Sequence, residues 1–350
     1  MNRTVFVFIA WLFAVSPSAA FAQKRMVLID QDGAGPADSN QMAMMTLLKS
    51  PQTDVLGITI VTGDGWRDEE VLHTLRMLEI VGRTDVPVVP GANGPLVRTQ
   101  AETRIEMQSH GVAGWLGAWG SDGRAKPSPN PTLPEGMPRA KPLNDDAPHF
   151  LVRQIRAHPG QVTVYAAGPL TNIALALSID PAIAAMTRGI VIMGSSLNPQ
   201  TDDPEFAQDP RHEFNFWFDP EAARIVLRAD WPRVDVTTVD VSIKAKFSDE
   251  MFAEISKSSS AAAKYIAAYA KDRSYLWDEL TACAWLEPSI ITKRVDVYLD
   301  VDLSHGPSYG HTLTWGEKDK PETGVRVVHA QLDVDLPKFR RMFVDLMSAR

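Results

Sequence analysis

Cysteine is almost missing from this chain: Cys283 is the only one in 350 residues, so no internal disulfide can form and stability has to come from packing. Around it, Thr281, Ala282, Ala284, Trp285 and Leu286 make a largely apolar stretch in which the thiol is expected to be a small, inert core group. Clusters of lysine and arginine are missing too. With a formal charge of −8, the acidic balance argues against electrostatic capture of nucleic acid phosphates or of an anionic membrane. Beyond the N-terminal segment, no run reaches the roughly 20 apolar residues that cross a bilayer. What these absences leave is a small partner, neutral or cationic.

At the N-terminus, Arg3, the apolar run from Val5 to Val15, Pro17 and the ending Ala20-Phe21-Ala22 make the pattern of a secretory signal peptide, cleaved after Ala22. Its removal takes away one positive charge, moving the balance to −9, and sends the mature chain to the periplasm or outside the cell. The remaining residues, 23–350, are expected to form a single domain, with no repeat and no linker clean enough to divide them.

Apolar runs of strand length (Met26 to Ile29, Val55 to Val61, Val162 to Ala166, Gly189 to Met193, Val234 to Val239) alternate with stretches of helical periodicity. The latter include Gln41 to Leu48, Glu69 to Val81, Ala147 to Ala157, Leu170 to Leu177 and Pro220 to Leu227, several opened by Asp, Asn or Pro. This pattern predicts an α/β fold: a doubly wound, largely parallel sheet flanked by helices, with ligands at the carboxyl ends of the strands. After Val295 short strands follow (Val295 to Val301, His311 to Trp315, Val325 to Val328), then a helix from Leu336. A Pro/Gly-rich insertion around 91–142 breaks the alternation. Its first half, with His110-Gly111 and the tryptophans Trp115 and Trp119, reads as a wall or lid over the site, and its second half as a flexible excursion.

The sharpest local feature is Asp30-Gln31-Asp32 at the end of the first strand, followed by Gly33-Ala34-Gly35-Pro36-Ala37-Asp38-Ser39-Asn40 and a helix. Carboxylates one residue apart, facing a Gly-rich turn, converge oxygens on one point, which suits a hard cation such as Ca²⁺. The cluster lacks Cys/His spacing, which argues against zinc there. The bland alternative is a solvated acidic turn with a plain helix cap.

Other segments give the stretch company. Val162-Thr163-Val164-Tyr165-Ala166-Ala167-Gly168-Pro169-Leu170-Thr171-Asn172 is a strand, tight turn and helix start. His212-Glu213-Phe214-Asn215 runs into Asp219-Pro220-Glu221-Ala222, and Trp277-Asp278-Glu279-Leu280 runs into Trp285-Leu286-Glu287-Pro288. In order and over nearly the whole mature chain, these landmarks resemble the nucleoside hydrolase (inosine-uridine preferring) family.

The resemblance implies hydrolysis of the N-glycosidic bond of a ribonucleoside or related N-riboside, giving free base and ribose for salvage. It implies Asp30, Asp32, Asp278 and the backbone carbonyl of Ala167 as calcium ligands, with ribose hydroxyls and a water completing the shell. Asp32 would take the proton of the calcium-bound water as it attacks the anomeric carbon. Glu213 and Asn215 would hold the ribose hydroxyls, and Asp64 stands where the family usually has asparagine. His110 is either a substrate contact or a solvated loop histidine. Trp66, Trp115, Trp119 and Trp217 are either stacking partners for the base or core residues. Family members are often dimers or tetramers, so a homo-oligomer is the expectation.

The sequence also departs from the family. Ser39 and Asn40 fall on its paired aspartates if the helix register is kept, with Asp38 as an alternative occupant; Asn40 still offers calcium an amide oxygen. Trp277 stands where many members carry a histidine that helps the base leave, and an indole N–H cannot act as an acid at neutral pH. These departures keep two other readings open: a non-catalytic riboside-binding protein with the same fold, and a hydrolase of another pentoside.

Overall fold

The computed structural model describes residues 24–111, 114–120, 126–270 and 274–350. The N-terminal segment expected to be a signal peptide lies outside the described residues. The strands are β1 (Arg25–Gln31), β2 (Thr53–Ile60), β3 (Val88–Pro90), β4 (Val162–Ala167), β5 (Gly189–Met193), β6 (Val234–Thr237), β7 (Ile291–Val301), β8 (Thr312–Trp315) and β9 (Arg326–Val334). They join one sheet in the order β3-β2-β1-β4-β5-β6-β9-β7-β8. All neighbours are parallel except β7, which runs antiparallel to both β9 and β8. The expected largely parallel α/β sheet is what forms.

Alternation along each strand divides the apolar residues between two cores. Val27, Ile29, Tyr165 and Val191 face one side, under the helices Ser39–Lys49, Arg67–Val81, Ala261–Tyr269, Trp277–Leu286 and Leu336–Ser348. Leu28, Val164, Ala166, Ile190 and Ile192 face the other, under Ala147–Ala157, Thr171–Ile179 and Pro220–Leu227. Because both faces are covered, β4 is buried at every position, which is why it reads as a continuous apolar run. Cys283 is a free, fully buried thiol in the first core, as its neighbours imply.

From β1 the chain builds outward through β2 to β3, and from β4 in the opposite direction through β5 to β6. This reversal opens a crevice at the carboxyl ends of β1 and β4, the place where such sheets bind ligands. The Ser39–Lys49 helix, capped by Asp38 accepting from Gln41 N at 3.1 Å, packs directly on the Trp277–Leu286 helix. Residues some 240 positions apart thereby flank one point.

Several expectations are corrected. β6 stops at Thr237, and Val239–Ser242 turns into a short helix. The first half of the insertion contains a helix, Gln100–His110, where Thr99 accepts from Glu102 N at 3.2 Å while its own hydroxyl donates to the Glu102 carboxylate at 2.8 Å. That reciprocal cap is written in the sequence as Thr-x-x-Glu, a start signal the reading of a proline-rich loop passed over. The second half is not a loose excursion over 133–143. Arg139 N and Ala140 N donate to Glu79 Oε1 at 2.6 and 2.8 Å, and Leu143 N to Val88 O at 2.8 Å. Glu135 is buried against His73.

Candidate active site

A cavity of about 880 Å³ opens at the carboxyl ends of β1, β4 and β5. Its polar part is lined by Asp32, Asp38, Ser39, Asn40, Asp64, Ala167, Glu213, Asn215 and Asp278, and another part by Phe206, Phe247, Tyr269, Tyr275 and Trp277.

Asp32 follows the last residue of β1 and is buried. Its Oδ2 accepts from Asp64 N at 2.9 Å, and its Oδ1 accepts from Asn40 Nδ2 at 2.8 Å. Two glycines clamp it: a Cβ on Gly63 would lie 2.1 Å from Asp32 Oδ2, and one on Gly168 would lie 2.9 Å from Oδ1. Asp278 arrives from the first turn of the Trp277–Leu286 helix, where its Oδ2 accepts from Gln31 Nε2 at 2.8 Å and from Asn40 Nδ2 at 3.3 Å. Asn40 therefore bridges the two carboxylates. Of the Gly-rich turn, Asn40 is the residue that donates to both carboxylates; Asp38 Oδ1 caps the helix, and Ser39 Oγ donates to Glu279 Oε2 at 2.6 Å.

The electrostatics are those of an acidic cleft without a counter-charge. Burial, then the charges of Asp64, Glu70 and Asp278, raise the Asp32 carboxyl well above its ordinary range. Burial also raises Asp278 despite its bond from Gln31, and pushes Asp38 to about 8 and Glu213 to about 7. No lysine or arginine stands among the described lining residues. Buried carboxylates packed this closely are stable as anions only beside a cation. Asp32 and Asp278, with Ala167 ending the neighbouring strand β4, make an oxygen-rich donor set of the kind hard cations take, while Asn40 turns its N–H side to both carboxylates.

Asp30 does not join them. It lies inside β1, paired with Thr59 of β2, roughly two residues or about 6–7 Å deeper than Asp32 along the strand. Its Oδ1 accepts from Thr59 Oγ1 at 2.5 Å and Asn172 Nδ2 at 2.8 Å, and it does not line the cavity. Asp30 thus sits behind the cavity floor, with its second oxygen, Oδ2, buried and without a hydrogen-bond partner. His110 is likewise displaced: it is exposed in the last turn of its helix and lines no part of the cavity, so its contact with substrate is not supported.

Glu213 and Asn215 do reach the cavity, yet much of Glu213 is engaged. It caps the Phe214–Phe218 helix, accepting from Asn215 N at 2.9 Å, Phe216 N at 3.0 Å and Ser195 N at 3.1 Å. Asn215 Nδ2 donates to Met193 O at 3.2 Å, which leaves its carbonyl side for a ligand. Asp64 accepts from Trp115 Nε1 at 2.5 Å, so Trp115 is a cavity wall, whereas Trp119 and Trp217 are core residues. Trp66 packs against that core. Trp277 lines the cavity with its ring 4.8 Å from Tyr275 and 5.6 Å, edge on, from Phe206.

Sequence reasoning missed Gln31, whose amide donates to Asp278, because the x of a D-x-D carries no signal by itself. It also missed Asp203, Glu205 and Tyr275. Tyr275 Oη donates to Asp203 Oδ2 at 2.8 Å, and burial pushes the phenol up to about 12. Burial, then the Asp203 charge, raises the Glu205 carboxyl. These residues lie in segments with no recognisable motif, and only the fold brings them to the cavity wall.

A largely parallel α/β sheet with an acidic cavity at its switch point defines a class of doubly wound folds that bind small ligands there. Within that class, the chain belongs to the inosine-uridine preferring nucleoside hydrolase family, whose model matches residues 27–341. It is 31% identical over 347 residues to "Probable uridine nucleosidase 2" of Arabidopsis thaliana, covering 93% of this chain and 98% of that one. It is also 31% identical over 340 residues to "Pyrimidine-specific ribonucleoside hydrolase RihA" of Escherichia coli, covering 93% and 97%. Among solved structures, a plant nucleoside hydrolase superposes with a TM-score of 0.74 at 23% identity, covering 93% of this chain and 99% of that one. An inosine-guanosine nucleoside hydrolase superposes with 0.73 at 22% identity, covering 92% and 98%. The sheet and its helices are those of these folds, and the chain is an enzyme of the nucleoside hydrolase type.

Proposed function

We propose that the protein hydrolyses the N-glycosidic bond of ribonucleosides, with Asp32 as the base that takes the proton of the attacking water. The observation that carries this is the bridge of Asp32, Asn40 and Asp278 at the floor of the cavity. Asp32 is held by the N–H groups of Asp64 and Asn40 and packs against Gly63 and Gly168, where an added Cβ would collide with it, and a positioned base within reach of the reacting proton is what such catalysis needs. Asp32, Asp278, the Ala167 carbonyl and, with its amide turned over so that the oxygen faces in, Asn40 would hold a calcium ion, which would supply positive charge to acidify water and grip the ribose diol. Asp30 supports that floor from beneath through Thr59 and Asn172.

Asp38, Ser39, Asp64, Glu213 and Asn215 offer acceptors and donors around the sugar position, and Trp115 and Trp277 offer faces against which a base can stack. With tryptophan at 277, Glu205 is the group we assign to carry a proton toward the departing base, its carboxyl raised by burial and by Asp203. Because the compared uridine nucleosidase and the RihA hydrolase are named for pyrimidine ribonucleosides, uridine and cytidine are the first substrates to try. The signal-peptide pattern supports action in the periplasm or outside the cell.

The test is release of free base and reducing sugar from a ribonucleoside panel, with calcium and after chelation. Release that stops on chelation and falls roughly a hundred- to ten-thousand-fold in Asp32→Asn is expected. Binding of ribosides without turnover under every metal condition would instead make the protein a binding module.

A further inference from the structure

Outside the cavity, a second group of metal-competent side chains comes together. Asp209, His212 and His311 each offer one ligand atom, and these atoms lie within 4.8 Å of one another. His311 Nε2 is 3.2 Å from Asp209 Oδ2, and the two imidazole rings are 6.4 Å apart at a steep angle. His212 is buried, and its Nε2 has no hydrogen-bond partner. A buried ring nitrogen without a partner is a rare and costly feature that calls for an occupant.

The group is built on fixed backbone. Asp209 ends the Pro204–Gln208 helix, and His212 N donates back to Asp209 O at 3.1 Å, closing a turn with three-residue spacing. His311 immediately precedes β8, where Thr312 N donates to Arg211 O at 3.1 Å. His311 N donates to Ser308 O and its carbonyl accepts from Asp302 N, both at 2.9 Å. The charge of Arg98, which is felt at His212, is matched by Glu106 at 2.5 Å. None of the three residues lines the cavity.

We propose that Asp209, His212 and His311 form a metal site of their own, selective for a transition-metal dication of the zinc type. Two imidazoles and a carboxylate are the donor set of such ions, whereas calcium takes oxygen donors throughout. With three protein ligands, the fourth position falls to water. Half-exposed Asp209 and His311 give the ion a way in. Since His212 directly precedes Glu213, an ion here ties the turn that carries the cavity's Glu213 to the start of β8.

Cobalt(II) serves as the probe. The protein stripped of transition metals and then kept in excess calcium is expected to take up one equivalent of Co²⁺ with the visible absorption of a four- or five-coordinate ion, and to lose it to equimolar Zn²⁺. His311→Gln and Asp209→Asn are each expected to weaken Co²⁺ binding at least tenfold, in keeping with loss of one of three ligands. Zn²⁺ should raise the melting temperature of the wild type and not that of His311→Gln. A wild-type cobalt spectrum no different from that of the hydrated ion overturns the proposal, whatever the variants do. So does unchanged cobalt affinity in both variants, which would leave the Asp209–His311 contact an ordinary ion pair.

Discussion

Burial and the charge of Asp203 raise the proton affinity of Glu205, whose neighbour Gly114 is packed so close that an added Cβ would lie 2.7 Å from the Glu205 carboxyl carbon. A cavity-lining carboxyl whose proton affinity is raised is placed to protonate a leaving group. Glu205→Gln is therefore expected to slow hydrolysis of uridine by about a hundredfold in kcat with little change in KM. The same variant should leave a 4-nitrophenyl riboside unaffected, because that leaving group departs without a proton. Equal loss on both substrates would remove Glu205 from this role. At the same scale, the Ser39 departure acquires a reason: its hydroxyl donates to the buried Glu279 carboxylate, and an aspartate there would set two carboxylates face to face. The acidic residues of the floor were legible one by one in the sequence. What was not legible was their division of labour, since Asp30 and Asp32 share a strand face but only Asp32 lies past the strand's end, where the cavity begins.

Among the elements, the Arg67–Val81 helix and the segment around Glu135 depend on each other through one charged contact. His73 is buried, which lowers its proton affinity, yet the bonds to Glu135 and Glu69 outweigh this and raise it to about 9. A histidine raised from 6.5 to about 9 adds stability that is present in full below pH 6.5 and is lost as the pH climbs through 9. His73→Gln is expected to destabilise the protein by about 3 kcal/mol near neutrality, because it leaves Glu135 buried without a counter-charge. Urea unfolding at pH 7 and pH 10 reads this out. The gap between wild type and variant should narrow at the higher pH, and a gap that stays constant would mean that packing alone is at stake. Pro134 lines the cavity beside this contact, so the proline-rich insertion reaches the active site through an anchored wall. Proline and glycine content announced a connection there, but could not reveal that Glu79, His73 and Val88 hold it.

For the whole molecule, the floor proposed to hold a cation draws Asp32, Asn40, Ala167 and Asp278 from distant parts of the chain, so it exists only when the protein is folded. An ion that binds the native state alone stabilises it, by about 2.7 kcal/mol at a hundredfold excess over its dissociation constant. Calcium should accordingly raise the urea midpoint of the wild type and have no such effect on Asp278→Asn. Identical midpoints with and without calcium would deny the floor its cation.

By itself the sequence determined the alternation of strand and helix, the burial of β4 and Cys283, and the acidic turn after β1, because each depends on periodicity or on neighbours close in the chain. The strand order, which places a switch point between β1 and β4, was decided by tertiary structure alone. So were the choice of Asn40 over Asp38 as the bridge, the arrival of Glu205 and Tyr275 at the cavity, and the meeting of His212 with His311. Local sequence sets which face a side chain takes. Which distant segment it meets there is fixed only when the sheet and its covering helices pack as one body.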